Sequence, residues 1–361
     1  MVRDGCSDCQ AVLPVPREIW RSVIAADPDA MPSQSPEWID AVCAGGLWQD
    51  VSRLYVSETG RRIVLPLVRI GPGPLARLAS PRRGWGYGGL IAEGGVSAED
   101  VVLVSRDLEM CRKLSLWLRP NPLHARLWDY FSRTATRVPA ISHIVDLNGG
   151  PDAVRSRFHA SAKKGIRTAE KAGVRVETGY AGDLLPVFYE LAIKARARWA
   201  RCQHEPVWLA QLRGRARDSL HKWRTIARHL GPGLQITVAS HHGKPVAAGI
   251  VLQSSKVGHG TLAAMDPEMR QLGASHLLNW VVLQNACTAG ARSFHMGESA
   301  TLGAAAFKES FGARRYVFEE LRLERLPFSA AEASLRSAVK AIVGFRGDGP
   351  PERANNGGGP P

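Results

Sequence analysis

The residues that could do chemistry in this 361-residue chain fall into three sets. The first is cationic: Lys163, Lys164, Arg167 and Lys171 in one run, then Arg196, Arg198, Arg201, Arg213, Arg215 and Arg217, with Trp199, Trp208 and Trp223 interleaved. Clustered Lys and Arg bind phosphates by releasing condensed counterions, and indole faces stack on unpaired bases. The pattern therefore fits a nucleic-acid footprint; a solvated helical face with core tryptophans is the competing reading. The second set could accept a proton: Asp266, Glu298 and His295. Carboxylates in turns also cap helices, and a histidine inside a strand is commonly a satisfied core group. The third set is glycine-rich. Gly86, Gly88 and Gly89 in the GYGG segment lack the strand-then-helix context of a dinucleotide fingerprint, so a tight turn is expected.

Composition narrows the classes. Lys and Arg outnumber Asp and Glu by 47 to 33, and residues 151–230 alone hold seventeen basic against seven acidic side chains, ten of the fourteen excess charges. With 45% hydrophobic and 22% charged residues the chain is globular, neither collagen-like nor wholly disordered. Its length predicts two domains. No apolar run approaches the roughly 18 residues of a membrane span, and the N-terminus lacks the order of a signal peptide, so a cytoplasmic protein is expected. The six cysteines are too sparse for a disulfide framework. Cys6 and Cys9 form a C-x-x-C without the second pair a zinc site needs, so free thiols and no metal are expected.

Several elements must position these residues. Residues 1–30 read as a flexible arm, and residues 331–361 as a short helix followed by a disordered tail, RGDGPPERANNGGGPP. Alternating runs at 51–57 and 61–70 predict strands, 101–118 an amphipathic helix, and 143–147 a strand. Phe158, Ala162, Ile166 and Ala169 share one helical stripe with the lysines outside it, and Gly173 marks the stop. A strand at 174–177 follows, then a helix that Asp183 could cap, with Leu184, Phe188, Leu191, Ala195 and Trp199 at helical spacing. A basic helical region spans 208–230. Three strands are predicted at 234–240, 245–253 and 256–264; the short HHGK connection forces the first two into a hairpin. Helix 274–289, strand 293–296, helix 304–310 and strand 316–323 complete the order.

That order resembles the GCN5-related N-acetyltransferase (GNAT) core. The segment HIVDLNGGPDAVRSRFHASAKKGIRTAEKAGVRVE resembles a signature of the Fem family, and so does HLLNWVVLQNACTAGARSFHMG followed by FKESFG. QSPEW (34–38), GYGG (86–89) and RPNPL (119–123) are similar to patches of the wider FemAB-like group, and the likeness covers roughly residues 30 to 327. It implies an α/β protein of mixed sheets with two tandem GNAT-like domains: 31–150 on the acceptor side, 151–330 on the donor side with the basic helices. Fem-type enzymes take an amino acid from a charged tRNA and join it to an amine. The acceptor is a peptidoglycan precursor or, in relatives, an antibiotic-type metabolite.

The resemblance assigns roles. Lys308, second in FKESFG, is expected to face the acyl carbonyl and stabilise the oxyanion of ester aminolysis, with Phe307 beside it packing or stacking. Asp266 and Glu298 fall near the expected cleft as candidate bases, direct loss of the proton to water or substrate being the alternative. Tyr87, Trp85, Glu93 and Trp38 are candidates for the acceptor site; Lys163, Lys164, Arg167, Lys171, Arg196 and Arg198 should hold the tRNA acceptor arm. An acyl-CoA enzyme of this fold shows R/Q-x-x-G-x-G/A, whose amides cradle a pyrophosphate. The corresponding Arg270–Ser275 ends in Ser, a partial match. Three functions follow: a Fem-like aminoacyltransferase using aminoacyl-tRNA as co-substrate, monomeric and without metal or redox cofactor; an acyl-CoA-dependent GNAT acyltransferase; or a non-catalytic RNA-binding module.

Overall fold

The computed structural model describes residues 12–325 except 83, 112 and 300. Its helices are α1 (Arg17–Ala26), α2 (Pro36–Cys43), α3 (Ala98–Met110), α4 (Gly150–Ser156), α5 (Ala160–Lys171), α6 (Leu185–Cys202), α7 (Val207–Arg217), α8 (Leu220–Leu230), α9 (Ala274–Thr288) and α10 (Leu302–Glu309). The strands are β1 (Gln49–Asp50), β2 (Arg53–Val56), β3 (Arg62–Leu65), β4 (Val68–Ile70), β5 (Arg77–Ser80), β6 (Ile91–Ala92), β7 (Ser115–Leu118), β8 (Thr136–Asp146), β9 (Arg175–Tyr180), β10 (Leu234–His241), β11 (Lys244–Gln253), β12 (Val257–Met265), β13 (Ser293–Glu298) and β14 (Arg314–Glu324). Eleven strands form one sheet in the order β1-β4-β5-β7-β14-β8-β13-β12-β11-β10-β9, and β2, β3 and β6 form a second, small sheet.

Two parallel pairs stand out in an otherwise antiparallel ladder. β5 pairs β7 with α3 in the crossover, and β12 pairs β13 with α9 in the crossover. A parallel connection needs such a helix, and its appearance once in each half is the structural mark of two GNAT-like units in tandem. The expected α/β class is found. The halves also exchange strands: β14, from the end of the described chain, lies between β7 and β8, and β8 pairs β13 on its other edge.

Apolar side chains bury both faces of the second-half sheet. On one face α6, α8, α1 and α2 pack through Phe188, Leu191, Trp223, Ile226, Trp20 and Trp38 against Ile236, Val238 and Ile250. On the other, Phe158, Ala162, Ile166 and Ala169 of the α4–α5 region meet Leu278, Leu283 and Phe311. A third cluster, with Val101, Val104 and Leu108 of α3 against Leu116 and Leu118, belongs to the first half. The expected hairpin at HHGK is found, with the strands extended to His241 and Lys244 and a two-residue turn; His242 and Gly243 both take positive φ (48° and 74°), the type I′ geometry that matches strand twist.

Four expectations need correction. Residues 17–26 are no flexible arm: α1 buries Trp20 and Val23 completely, and Trp20 Nε1 donates to the Gln34 carbonyl. The predicted helix 101–118 ends at Met110, and its last four residues form β7 between β5 and β14. The predicted strand 61–70 breaks at Pro66, giving β3 to the small sheet and β4 to the large one. Asp183 does not cap α6, whose N-cap position is Leu184. Cys6, Cys9 and the 331–361 tail lie outside the described residues; Cys43, Cys111, Cys202 and Cys287 are free thiols. No helix among the described residues is long and apolar enough to cross a membrane.

Candidate active site

The central cleft exists because β12 and β13 run parallel for only three residues, Val257–His259 against Ser293–His295, and then separate. Gly260, Thr261 and Leu262 line one side of the gap and Gly297 and Glu298 the other, enclosing a cavity of about 280 Å³. The remaining wall comes from a loop of the first half, Gly84–Tyr87, with Trp38 and Trp223 beside it.

That loop is clamped from several segments. Gln34 Nε2 lies within hydrogen-bond distance of the Gly88, Gly89 and Leu90 carbonyls, at 2.9, 3.2 and 3.1 Å, and Trp38 Nε1 donates to Trp85 O at 3.0 Å. Ser33 Oγ donates to Tyr87 O and accepts from Tyr87 N. The QSPEW and GYGG segments, 48 residues or more apart, are thus two parts of one device. From the second half, buried Lys222 donates to Gly84 O at 2.8 Å, pairs with Asp218 at 3.0 Å and sits 4.7 Å from the Trp85 ring centroid.

Lys308 is not itself a lining residue; it is held behind one wall of the cavity, at the splay. Its ammonium donates to the carbonyls of Gly297 and Glu298 at 3.0 and 2.6 Å, and burial pushes its pKa down to about 8. An ammonium carries three donors, so two carbonyls fix its direction and leave one N–H for a ligand. Glu298 lines the cleft, yet its carboxylate is ion-paired with Arg119, which also lies near Glu320 and 5.0 Å from the Tyr87 ring centroid. Asp266 lies outside the cleft lining: it accepts from Glu268 N, capping the turn after β12, and pairs with Lys194 at 3.1 Å. The candidate carboxylate bases are therefore a paired wall residue and a cap.

Trp38, Trp85 and Tyr87 all line the cavity. Tyr87 presents a ring rather than a free hydroxyl, since its OH already meets Ser142 Oγ at 3.0 Å. Glu93 is elsewhere, binding the Arg62 side chain and amide at the edge of the small sheet. Phe307 packs edge-on against His276 and Phe311 and belongs to the core around α9. Arg119, Arg217, Asp218, Trp223 and His259 also line the cleft. Arg119 opens the RPNPL segment, so a signal for it was present. His259 sits on β12 with nothing in its neighbours to mark it; burial drives its pKa down to about 3 and keeps the imidazole neutral.

The cationic residues divide between the faces of the sheet. Lys163, Lys164, Arg167 and Lys171 are on α5, which packs on α9, opposite the face that α6 and α8 cover. Arg196 and Arg198 are on α6, and only this group adjoins the cleft, through Arg217. One continuous footprint for both sets is not formed.

At the Arg270–Ser275 loop, Gly273 takes φ +69° as the N-cap of α9, and its backbone lies so close to α5 that a Cβ here would collide with the Gly165 carbonyl. A Cβ at Gly165 would in turn strike the His276 ring. Gly273 and Ala274 are buried, and Ser275 Oγ is turned to Met265 Sδ at 3.1 Å.

Residues 156–309 match the family model described as an acetyltransferase (GNAT) domain. The crystal structure of FemX superposes with a TM-score of 0.60 at 11% identity, covering 86% of this chain and 96% of that one. A conserved protein of unknown function from Bacteroides thetaiotaomicron gives 0.53 at 9% identity, with 85% and 97% covered. The C-terminal domain of a protein assigned as a lysylphosphatidylglycerol synthetase from Agrobacterium fabrum gives 0.51 at 16% identity, with 92% and 98% covered. At these identities the likeness is one of fold. No curated protein matches the sequence.

Proposed function

We propose, from the premise that this is a GNAT-superfamily chain of Fem-like fold, that it moves an aminoacyl group from a charged tRNA to the amine of a small or peptidic acceptor, an antibiotic-type metabolite or a peptidoglycan precursor. The observation that carries the reading is the closure of the α9 N-terminus by α5. An acyl-CoA user needs the amides of this loop open to a pyrophosphate. Here Gly273 and Ala274 are buried under Gly165 and Ala169.

The chemistry follows from the cleft. The acceptor amine lies among Trp38, Trp85 and Trp223, whose faces suit a cation or an apolar body. The ester carbonyl lies at the splay, within reach of the third N–H of Lys308. The amine nitrogen donates its lone pair to the carbonyl carbon, and the carbonyl electrons move to oxygen, where the oriented ammonium stabilises them. Collapse breaks the ester C–O bond; the ribose oxygen leaves with that electron pair and takes the proton the amine sheds. This route needs no protein base, in keeping with the paired states of Glu298 and Asp266. It needs no metal or redox cofactor either.

The test is a transfer assay with purified protein, a panel of amines, and either aminoacyl-tRNA or acyl-CoA as donor. Amide formation from aminoacyl-tRNA that ribonuclease abolishes is the expected result; transfer from acyl-CoA alone overturns the proposal.

A further inference from the structure

We infer that the exposed face of α6 and α7 is a docking site for unpaired nucleotides at the end of an RNA chain; the inference rests on the aminoacyl-tRNA reading and says where that donor's single-stranded end is held. The first observation is an exposure opposite to what the sequence predicts. Trp199 falls on the apolar stripe of α6 yet is 46% exposed, and Trp208 of α7 is 69% exposed with Leu212, one turn on, at 58%. Large indoles are seldom left in water without a partner to cover them. Around them stand Arg198, whose guanidinium lies 5.4 Å from the Trp199 ring centroid, and Arg213, Arg215 and Arg217.

The second observation is a built pocket between the two helices. About 90 Å³ is enclosed by Arg196, Trp199, Gln203, Glu205, Arg213 and Arg217. α7 crosses so closely that a Cβ at Gly214 would strike the Arg196 side chain, whose Nε and Nη2 are buried without a protein partner. Glu205 is buried and held by Arg213 at 2.7 Å. An aromatic face, an amide and a carboxylate for a base edge, and guanidinium groups for phosphate are the parts that hold a nucleotide of a single strand. The third observation is continuity: Arg217 lines this pocket and also the transfer cleft. A nucleotide seated here stands beside the place where its ester would react. The α5 lysines, on the other face of the sheet, do not reach it.

Charge and shape favour RNA over an anionic membrane, because a planar membrane makes no use of a pocket whose carboxylate is buried. The experiment measures binding of a fluorescent single-stranded RNA ending in CCA, a blunt hairpin of the same length, and anionic phospholipid vesicles to the full chain. Wild type is compared with Trp199→Ala, Trp208→Ala, Gln203→Ala and Lys164→Glu/Arg167→Glu. Stacking on an aromatic ring predicts that Trp199→Ala weakens single-stranded RNA about tenfold or more, with the salt slope unchanged because no phosphate contact is lost. Trp208→Ala should weaken it in the same direction, while the α5 pair leaves it unaltered. If wild type binds RNA and the two tryptophan variants bind equally well, the docking site is wrong while the donor reading stands. Absence of RNA binding together with transfer from acyl-CoA removes both. Binding to vesicles but not RNA, lost in Trp208→Ala, makes the face a membrane surface and overturns the proposal.

Discussion

If Lys308 works as a charged, oriented donor, its titration must appear as a loss of rate on the alkaline side. With a pKa near 8, the side chain is about nine-tenths protonated at pH 7, half at pH 8 and just under one-tenth at pH 9, a roughly tenfold fall in the working form. The acceptor amine titrates in the opposite sense, its reactive neutral form increasing with pH, so the absolute profile mixes the two. Dividing the wild-type single-turnover rate by that of Lys308→Arg, whose guanidinium stays charged throughout, removes the acceptor's contribution. The ratio should fall with a midpoint near pH 8. Lys308→Met, which deletes the donor, should lower kcat by about 10²–10³. The same variant should be more stable than wild type at pH 7, because burial holds the folded pKa below the usual lysine value and so makes the charged form costly there. That gain should fade as pH rises through 8 and the wild-type ammonium discharges in the fold. A ratio that rises through pH 8 would instead make neutral Lys308 a base; a flat ratio would remove it from the reaction.

Other substitutions test the parts around it. Lys222→Met should cost about 1–3 kcal/mol in chemical denaturation, because the Gly84 carbonyl loses its donor and Asp218 keeps only Arg217 of its two cations, and Lys222→Met/Asp218→Asn should recover part of this. Gly165→Ala should destabilise by about 1–3 kcal/mol in the same assay, through collision with His276, without creating acyl-CoA binding. Tyr87→Phe should lose about 1 kcal/mol for the Ser142 hydrogen bond and leave kcat within about twofold. A larger kcat loss would mean that the hydroxyl leaves Ser142 to contact substrate.

The second half was legible because its signals are local. The stripe Phe158, Ala162, Ile166, Ala169 and the short HHGK connection each specify an element within a dozen residues, and the helix and the hairpin are both found. In the first half the deciding interactions are distant. Val101–Leu118 carries apolar residues at helical spacing with no Pro or Gly to stop it. Leu116 and Leu118 nevertheless extend, because β5 on one side and β14, about two hundred residues later, on the other complete their hydrogen bonds. The site shows the same division. Lys308, Trp38 and Tyr87 stood in recognisable segments, whereas His259, Asp218 and Trp223 become cleft residues only when β12 parts from β13 and α8 folds over the gap. Glu93 failed for the complementary reason: proximity to GYGG in sequence placed it nearby, but the turn sends it to the small sheet.

The exchange of strands also bears on how substrates reach the cleft. Were the halves independent, a hinge between them could open it. β8 and β14 instead share nine register pairs, and β8 is bonded on its other edge to β13, one wall of the cleft. Each backbone hydrogen bond contributes about 0.5–1.5 kcal/mol net, so separating these strands would cost several kcal/mol with each turnover. The loop Gly84–Tyr87 is equally fixed, by Ser33 and Trp38 from one side and Lys222 from the other. Access must therefore be through the standing mouth, where the Arg217 side chain is 66% and that of Glu298 39% exposed. These two flank the opening with opposite charge: Arg217 faces the α6–α7 surface, the side from which the proposed polyanionic donor would approach, and Glu298 sits beside Lys308 at the splay. A rigid cleft entered from one charged edge favours a long donor that delivers only its tip. On the proposed reading, the excess cations on α6 and α7 would act in encounter and grip, and the chemistry would be left to the half-buried ammonium of Lys308.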